Sequence, residues 1–242
     1  MVSYPRGGLA LDMQPVLRYT KKDRTVGFFQ EGMMGKGDQT RQRIIERAAG
    51  VFNTQGFSGA SLGALTQAAG IEKGGLYNHF ASKEQLALEA FDYASGLIAQ
   101  RFQAAMAGKT SATERLLALV GVFERYMDDP PLPGGCPVVN TAVEADDAIP
   151  ALRERARAAM TSWHKLIGST VKAGVVSGEL RAEADPYAVA TLLTATLEGA
   201  LLLSRLYDDP AHMRRAAEHL AGYLHSLAAS PPSPHSEQGA TP

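Results

Sequence analysis

Lys73, Tyr77, Asn78, His79 and Lys83 stand close together in the stretch AGIEKGGLYNHFASKEQL, residues 69–86. Lysine ammonium groups are point charges suited to phosphate, while phenol, imidazole and amide groups suit phosphate or a base edge. Asn78 offers a donor and an acceptor together, the pairing that a base edge presents. Such a set binds a polyanion with sequence content. Gly74 and Gly75 lie among these residues, and each costs roughly 1 kcal/mol against alanine inside a helix. They remove side chains where backbone must come close to a duplex or to a helix behind it. The alternative is a packed connector decorated with a few polar residues, His79 being an ordinary surface histidine. Leu76 and Phe80, paired at helical spacing, are core in both readings.

The flanking elements favour the first reading. From Asp38 the pattern is helical: Ile44, Ile45, Ala48, Val51 and Phe52 make one apolar face, Arg41, Arg43 and Arg47 surround it, and Gly56 ends the run. A short helix follows from Ser61, its cap, to about Ala69, with Leu62, Leu65 and Ala68 inward. Gly70 supplies a turn, and a third short helix covers about Glu72 to Phe80. Ser82 opens a fourth through the capping box S-K-E-Q. Two short helices joined by a glycine turn and braced by longer ones make a helix-turn-helix, whose second member enters the major groove. Ser61, at a helix start, adds amides and a hydroxyl for phosphate.

The remaining punctuation predicts an all-α chain. Ser111 and Glu114 form a capping box for a helix to about Met127. Pro137, with Cys136 in the cap position, opens one to about Ala145, and Pro150 a long one to Val176. Asp185-Pro186 and Asp209-Pro210 introduce the last two, reaching about Tyr207 and Leu227. Residues 1–37 are expected to be a flexible extension, Met33 and Met34 offering an alternative start, so that 1–33 need not be native. Residues 229–242 are an expected disordered tail. Between them lie a DNA-binding domain at 38–98, with its helix-turn-helix at about 61–80, and a helical domain at 99–228.

Composition narrows the function class. The 242 residues carry a net charge of −1, yet residues 1–83 hold eleven Lys or Arg against six Asp or Glu, and the rest is acidic. Only the front half is suited to a polyanion. One cysteine excludes an internal disulfide framework and fits a reducing cytoplasm. No signal-peptide pattern is visible, and no apolar run approaches the roughly 18 to 20 residues of a membrane span. One Cys and six scattered His give no zinc set. GMMGKG (32–37) lacks the spacing and the Ser/Thr of a phosphate loop, and no nucleophile elbow occurs. No enzyme, metal or cofactor is expected.

Residues 40–86, TRQRIIERAAGVFNTQGFSGASLGALTQAAGIEKGGLYNHFASKEQL, resemble the TetR/AcrR family of bacterial transcriptional regulators. The T-R-x-x-I start, the A-x-x-x-F-x-x-x-G-F helix, the A-A-G-I turn and K-G-x-L-Y-x-H-F-x-S-K-E (73–84) carry the resemblance. It implies that Lys73, Gly75, Tyr77, Asn78 and His79 meet DNA, with Lys83 on a phosphate. Gly75 departs from the Thr, Ser or Ala usual there, so operator sequence does not transfer. The family also implies a cytoplasmic, nucleoid-associated bacterial homodimer that represses from a palindromic operator and is released by a small molecule. A ligand-sensing or protein-interaction module without DNA binding is the rival class.

The back half supplies expectations for those partners. Met213, Ala217, Leu220, Leu224 and Leu227 step by four and three, as in a helix bundle. Val189, Leu193, Leu197, Ala200 and Leu201 join them as the expected dimer seam, a purely internal core being the alternative. Phe91, Phe102, Phe123, Tyr126, Trp163 and His164 are candidate effector-pocket residues, or plain core. Cys136 has two readings: a thiolate favoured by a helix N-terminus, acting as a redox or electrophile sensor, or an inert buried residue.

Overall fold

The computed structural model describes residues 35–145 and 149–229. Those residues form nine helices and no strand: α1 Lys36–Gly59, α2 Leu62–Ala69, α3 Lys73–Tyr77, α4 Lys83–Met106, α5 Ala112–Glu124, α6 Pro137–Ala145, α7 Pro150–Val176, α8 Pro186–Leu206 and α9 Ala211–Ser226. The expected all-α class holds. The expected extension lies outside the described residues except at its end, where Lys36 and Gly37 already belong to α1.

The described residues divide into two compact units. The first joins the chain up to Gln100 with Asp129–Ser169, so α6 belongs with α1–α3, beyond the boundary at 98 that sequence suggests. Its core gathers Ile44, Ile45, Ala48, Leu65, Leu76, Phe80, Leu86 and Ala90, with Val51, Phe52 and Leu62 packed against it. Ala69 faces inward and Ala68 outward, because the i,i+4 partner of Leu65 is Ala69. Gly56, at φ 72° and ψ 170°, breaks α1 into a long helix and a short final turn. Gly70 takes the left-handed conformation (φ 64°, ψ 42°) that ends α2 and aims the chain into α3.

The second unit holds Arg101–Asp128 and the chain from Thr170 onward. Here α9 packs on both α5 and α8. Ser111 and Glu114 form the predicted box at α5, and the Asp185 carboxylate accepts from the Tyr187 and Ala188 amides at α8. A buried Ser204 hydroxyl accepts from the Met213 amide at 3.0 Å. The chain expected to be loose from 229 is still paired there: the Arg181 amide donates to Leu227 and the Ala229 amide to Glu179, both at 2.9 Å.

Two expectations are corrected. Val189, Leu193, Leu197, Ala200, Leu201, Met213, Ala217, Leu220, Leu224 and Leu227 are all buried inside the second unit. Their spacing marks the most covered stripe of each helix, and that stripe is covered by the unit's own helices. The leucines left exposed on α8 are instead Leu192, Leu202, Leu203 and Leu206. The helix is also long and apolar enough to cross a membrane, with mean hydropathy 1.4 over eighteen residues. It escaped the sequence reading because Glu198 and hydroxyl residues interrupt the run. Seven of its residues nonetheless pack into the second unit's core.

A borrowed carboxylate completes the start of α5. Glu179 accepts from the Ala112 amide at 2.7 Å and the Thr113 amide at 2.9 Å. Burial pushes its carboxyl up, but the Thr113 and Ala112 amides and the Thr113 and Ser111 hydroxyls outweigh that and hold it below the usual range. A depressed folded pKa contributes stability that is present above the unfolded value and lost as pH falls through the folded one. Glu179→Gln should therefore lower stability by about 1 kcal/mol at neutral pH. The gap to wild type, followed by denaturant unfolding against pH, should shrink below the ordinary carboxylate range.

Candidate nucleic-acid interface

One face of α3 is anchored and the other is bare. Leu76 and Phe80 are fully buried, while Lys73, Gly74, Tyr77 and Asn78 are exposed and His79 half-exposed. Helix α3 itself is one short turn, Lys73–Tyr77, shorter than expected, with Glu72 in the cap position. Asn78 and His79 lie in the turn after it, where the His79 and Phe80 amides both donate to the Leu76 carbonyl at 3.1 and 3.0 Å. Tyr77, 48 % exposed, thus presents a phenol to solvent from a backbone fixed by its neighbour's burial.

The glycines have a narrower meaning than the sequence allowed. A Cβ at Gly74 would meet nothing within 4 Å, and one at Gly75 would make ordinary contact with Ile71 at 3.7 Å. Nothing packed behind them requires glycine. On this geometry Gly74→Ala should stabilise the isolated protein by up to about 1 kcal/mol, since it removes a helix penalty without a clash. A melting temperature that falls on substitution would show that the backbone there tolerates no side chain.

Ser61 caps α2, its Oγ accepting from the Ala64 amide at 3.0 Å, and its hydroxyl proton stays available to an acceptor. Lys83 opens α4, as expected, and also reaches back to α1. Its ammonium donates to the Phe57 carbonyl and lies 4.5 Å from the Phe57 ring centroid, leaving further donors for an anion. Arg41 is engaged as well, paired with Glu89 and stacked over the Phe80 ring at 4.7 Å. Arg43 and Arg47 remain exposed on α1. The S-K-E-Q box forms with a shift of one residue, since Gln85 accepts from the Ala81 amide at 2.8 Å.

The candidate pocket residues are divided between the two units. Phe102, Phe123 and Tyr126 make an aromatic cluster in the second unit, with ring centroids 6.1 and 5.7 Å apart in succession. Phe91, Trp163 and His164 belong to the first unit, where Phe91 and Trp163 are buried and His164 is half-buried. Phe91 borders a cavity of about 30 Å³ with Phe52, Phe57, Thr141, Glu144 and Leu152. That volume suits about one water and is far below the few hundred Å³ of a small-molecule site. At the next residue, burial pushes the Asp92 carboxyl up against the opposing pull of Arg155, its ion-pair partner. Cys136 is 3 % exposed, and its carbonyl accepts the first α6 bond, from the Asn140 amide at 3.0 Å, as the predicted cap position requires.

Three functional-looking residues escaped the sequence reading: Asn53, Asn140 and Glu144. The Glu144 carboxylate accepts from the Phe57 amide at 2.7 Å and the Ser58 amide at 2.9 Å. The Asn140 amide donates to Asn53 Oδ1 at 3.0 Å and to the Gly134 carbonyl at 2.8 Å. The only available signal was the i,i+4 placement of Asn140 and Glu144 within GGCPVVNTAVEADD, which says nothing of their partner.

Several known proteins resemble this chain. Residues 44–90 match the family described as "Bacterial regulatory proteins, tetR family", and 112–220 match "Tetracyclin repressor-like, C-terminal domain". A TetR transcriptional regulator from Chloroflexus aurantiacus is 43% identical with a TM-score of 0.78, over 81% of this chain and 98% of that one. The HTH-type transcriptional regulator LmrA of Bacillus subtilis is 30% identical over 71% of this chain and 88% of its own. A cysteine mutant of the TetR-family regulator CifR, solved with 26-bp double-strand operator DNA, is 25% identical with a TM-score of 0.66, over 82% of this chain and 98% of that one. These matches are to regulators of transcription and none is to an enzyme.

Proposed function

This chain belongs to the TetR family of transcriptional regulators and carries its DNA-binding domain, and from that premise we propose a homodimeric, ligand-released repressor. The observation that carries the reading is the bare face of α3 and the turn after it, with Lys73, Tyr77 and Asn78 exposed above the buried Leu76 and Phe80. Lys73 and the free donors of Lys83 take phosphate oxygens, the Ser61 hydroxyl a third, and Tyr77, Asn78 and His79 reach base edges or the adjoining backbone. Gly74 and Gly75 let the duplex approach the α3 backbone. The operator of the CifR relative supports a duplex as the partner.

Two such helices about 34 to 36 Å apart match one turn of DNA, which makes a two-fold dimer on a palindrome the natural arrangement. The exposed Leu192, Leu202, Leu203 and Leu206 of α8 support a second copy as their cover, since they recur on one helical flank. An effector releases DNA by binding better to the state in which the two recognition helices no longer match the groove spacing. Repression is the family's commoner mode, and the bacterial cytoplasm, on the nucleoid, is the setting.

Gel shifts with the DNA beside the chain's own gene test the first part. Wild type should bind with steep salt dependence. Lys73→Ala should weaken binding evenly across sequences and lower the log–log salt slope by about one. Tyr77→Ala should weaken it by about tenfold or more with folding intact, and a wild-type protein indifferent to every duplex would end the reading. For assembly, Leu202→Glu with Leu206→Glu should give a folded monomer by sedimentation. An unchanged dimer would move the seam away from α8.

A further inference from the structure

We propose that Glu144, with Asn140 and Asn53, is a positioning latch through which α6 sets the stance of the helix-turn-helix. The inference rests on the DNA-binding reading above. Where α1 kinks at Gly56, the following amides lose their i−4 partners and need other acceptors. The Glu144 carboxylate supplies both, taking the Phe57 and Ser58 amides together. Gly56 is matched to that carboxylate twice over: its φ is +72°, and a Cβ there would meet the Glu144 oxygens at 2.7 Å.

The same peptide is held from the other side. The Phe57 carbonyl accepts from Lys83, the first residue of α4, which follows the recognition turn by only a few residues. One residue, Phe57, is therefore gripped by α6 through its N–H and by α4 through its C=O. The grip extends back along α1. The Asn53 amide donates to the Pro133 carbonyl at 2.7 Å and the Gly135 carbonyl at 2.9 Å, while Asn140 ties Asn53 to Gly134. Gly134 admits no side chain, since a Cβ would lie 2.5 Å from the Asn53 carbonyl oxygen. Three residues after Ser58 comes Ser61, the cap of α2, so a displacement of α6 is delivered almost directly to the start of the helix-turn-helix.

Charge makes the idea testable. A carboxylate cannot strengthen DNA binding by touching phosphate, and simple electrostatics has Glu144→Ala binding DNA more tightly. A latch requires the reverse. The probe is the duplex that the wild-type chain selects from a random library, used at a temperature where circular dichroism shows each variant fully folded. Glu144→Ala should weaken affinity at least tenfold and Asn140→Ala several-fold. Glu144→Gln, which keeps one acceptor, should fall between, and the salt slope should not change because the phosphate contacts are untouched. Amide exchange over residues 57–80 should quicken at least tenfold in Glu144→Ala while α8 and α9 keep their protection. Equal or tighter binding by Glu144→Ala, or unchanged exchange over 57–80, overturns the latch. If the wild type selects no duplex, the DNA-binding reading falls and the exchange measurement alone decides the latch. Should Glu144→Ala fail to fold, Glu144→Gln and Asn140→Ala carry both measurements.

Discussion

Everything this protein presents to a partner at its front depends on the burial of Leu76 and Phe80 beneath α3. One turn of helix cannot pay its own nucleation cost, and two glycines weaken it by roughly 1 kcal/mol each. Burying a leucine or phenylalanine side chain returns about 1.5–3 kcal/mol apiece, enough to hold the turn against its poor propensity. The core residues Ile44, Leu65 and Leu86 arrive from three different helices to make that burial possible. Rigidity therefore comes from below the exposed face. The exposed residues are left free to answer to a partner alone.

A second constraint recurs in both units. A helix start leaves amides without acceptors, and in two places the acceptor comes from far along the chain. Glu179 closes the start of α5 through Ala112 and Thr113, and Glu144 closes the turn after Gly56 through Phe57 and Ser58. Each carboxylate takes two amides, so each joins two elements by charge-assisted bonds that are shorter and stronger than neutral ones. Such bonds are directional. They specify how one element stands on another more sharply than apolar contact does, which suits the join between α6 and the end of α1.

The surface of α8 follows from packing arithmetic of a different kind. A helix apolar around most of its circumference must be covered on more than one flank. The flank carrying Val189, Leu193, Leu197 and Leu201 is covered by the unit's own helices, with Met213 and Leu220 of α9 buried beside it in the same unit. The flank carrying Leu202 and Leu206, 65% and 68% exposed, is not. Evenly spaced leucines attract attention in a sequence because they are the best-packed positions, and for that reason they are the ones a single copy has already used.

What the sequence by itself determined is whatever depends on neighbours a few residues away. Helix starts at Ser61, Ser111, Pro137 and Asp185, the turn at Gly70, the end of the long helical run at Gly56 and the buried pair Leu76 and Phe80 all follow from caps, glycine conformations and periodicity. These act within one or two turns of chain, so type and spacing specify them. The surface group at 73–79 was legible for the same reason, its polar residues alternating with anchors at helical spacing. Tertiary structure decided the rest. Which α8 flank stays bare, why Gly74 needs no internal excuse, and which amides Glu144 serves depend on where distant elements come to lie. A side chain's reach is a few ångströms, and partners 87 or 86 residues apart along the chain enter it only after folding has brought them there.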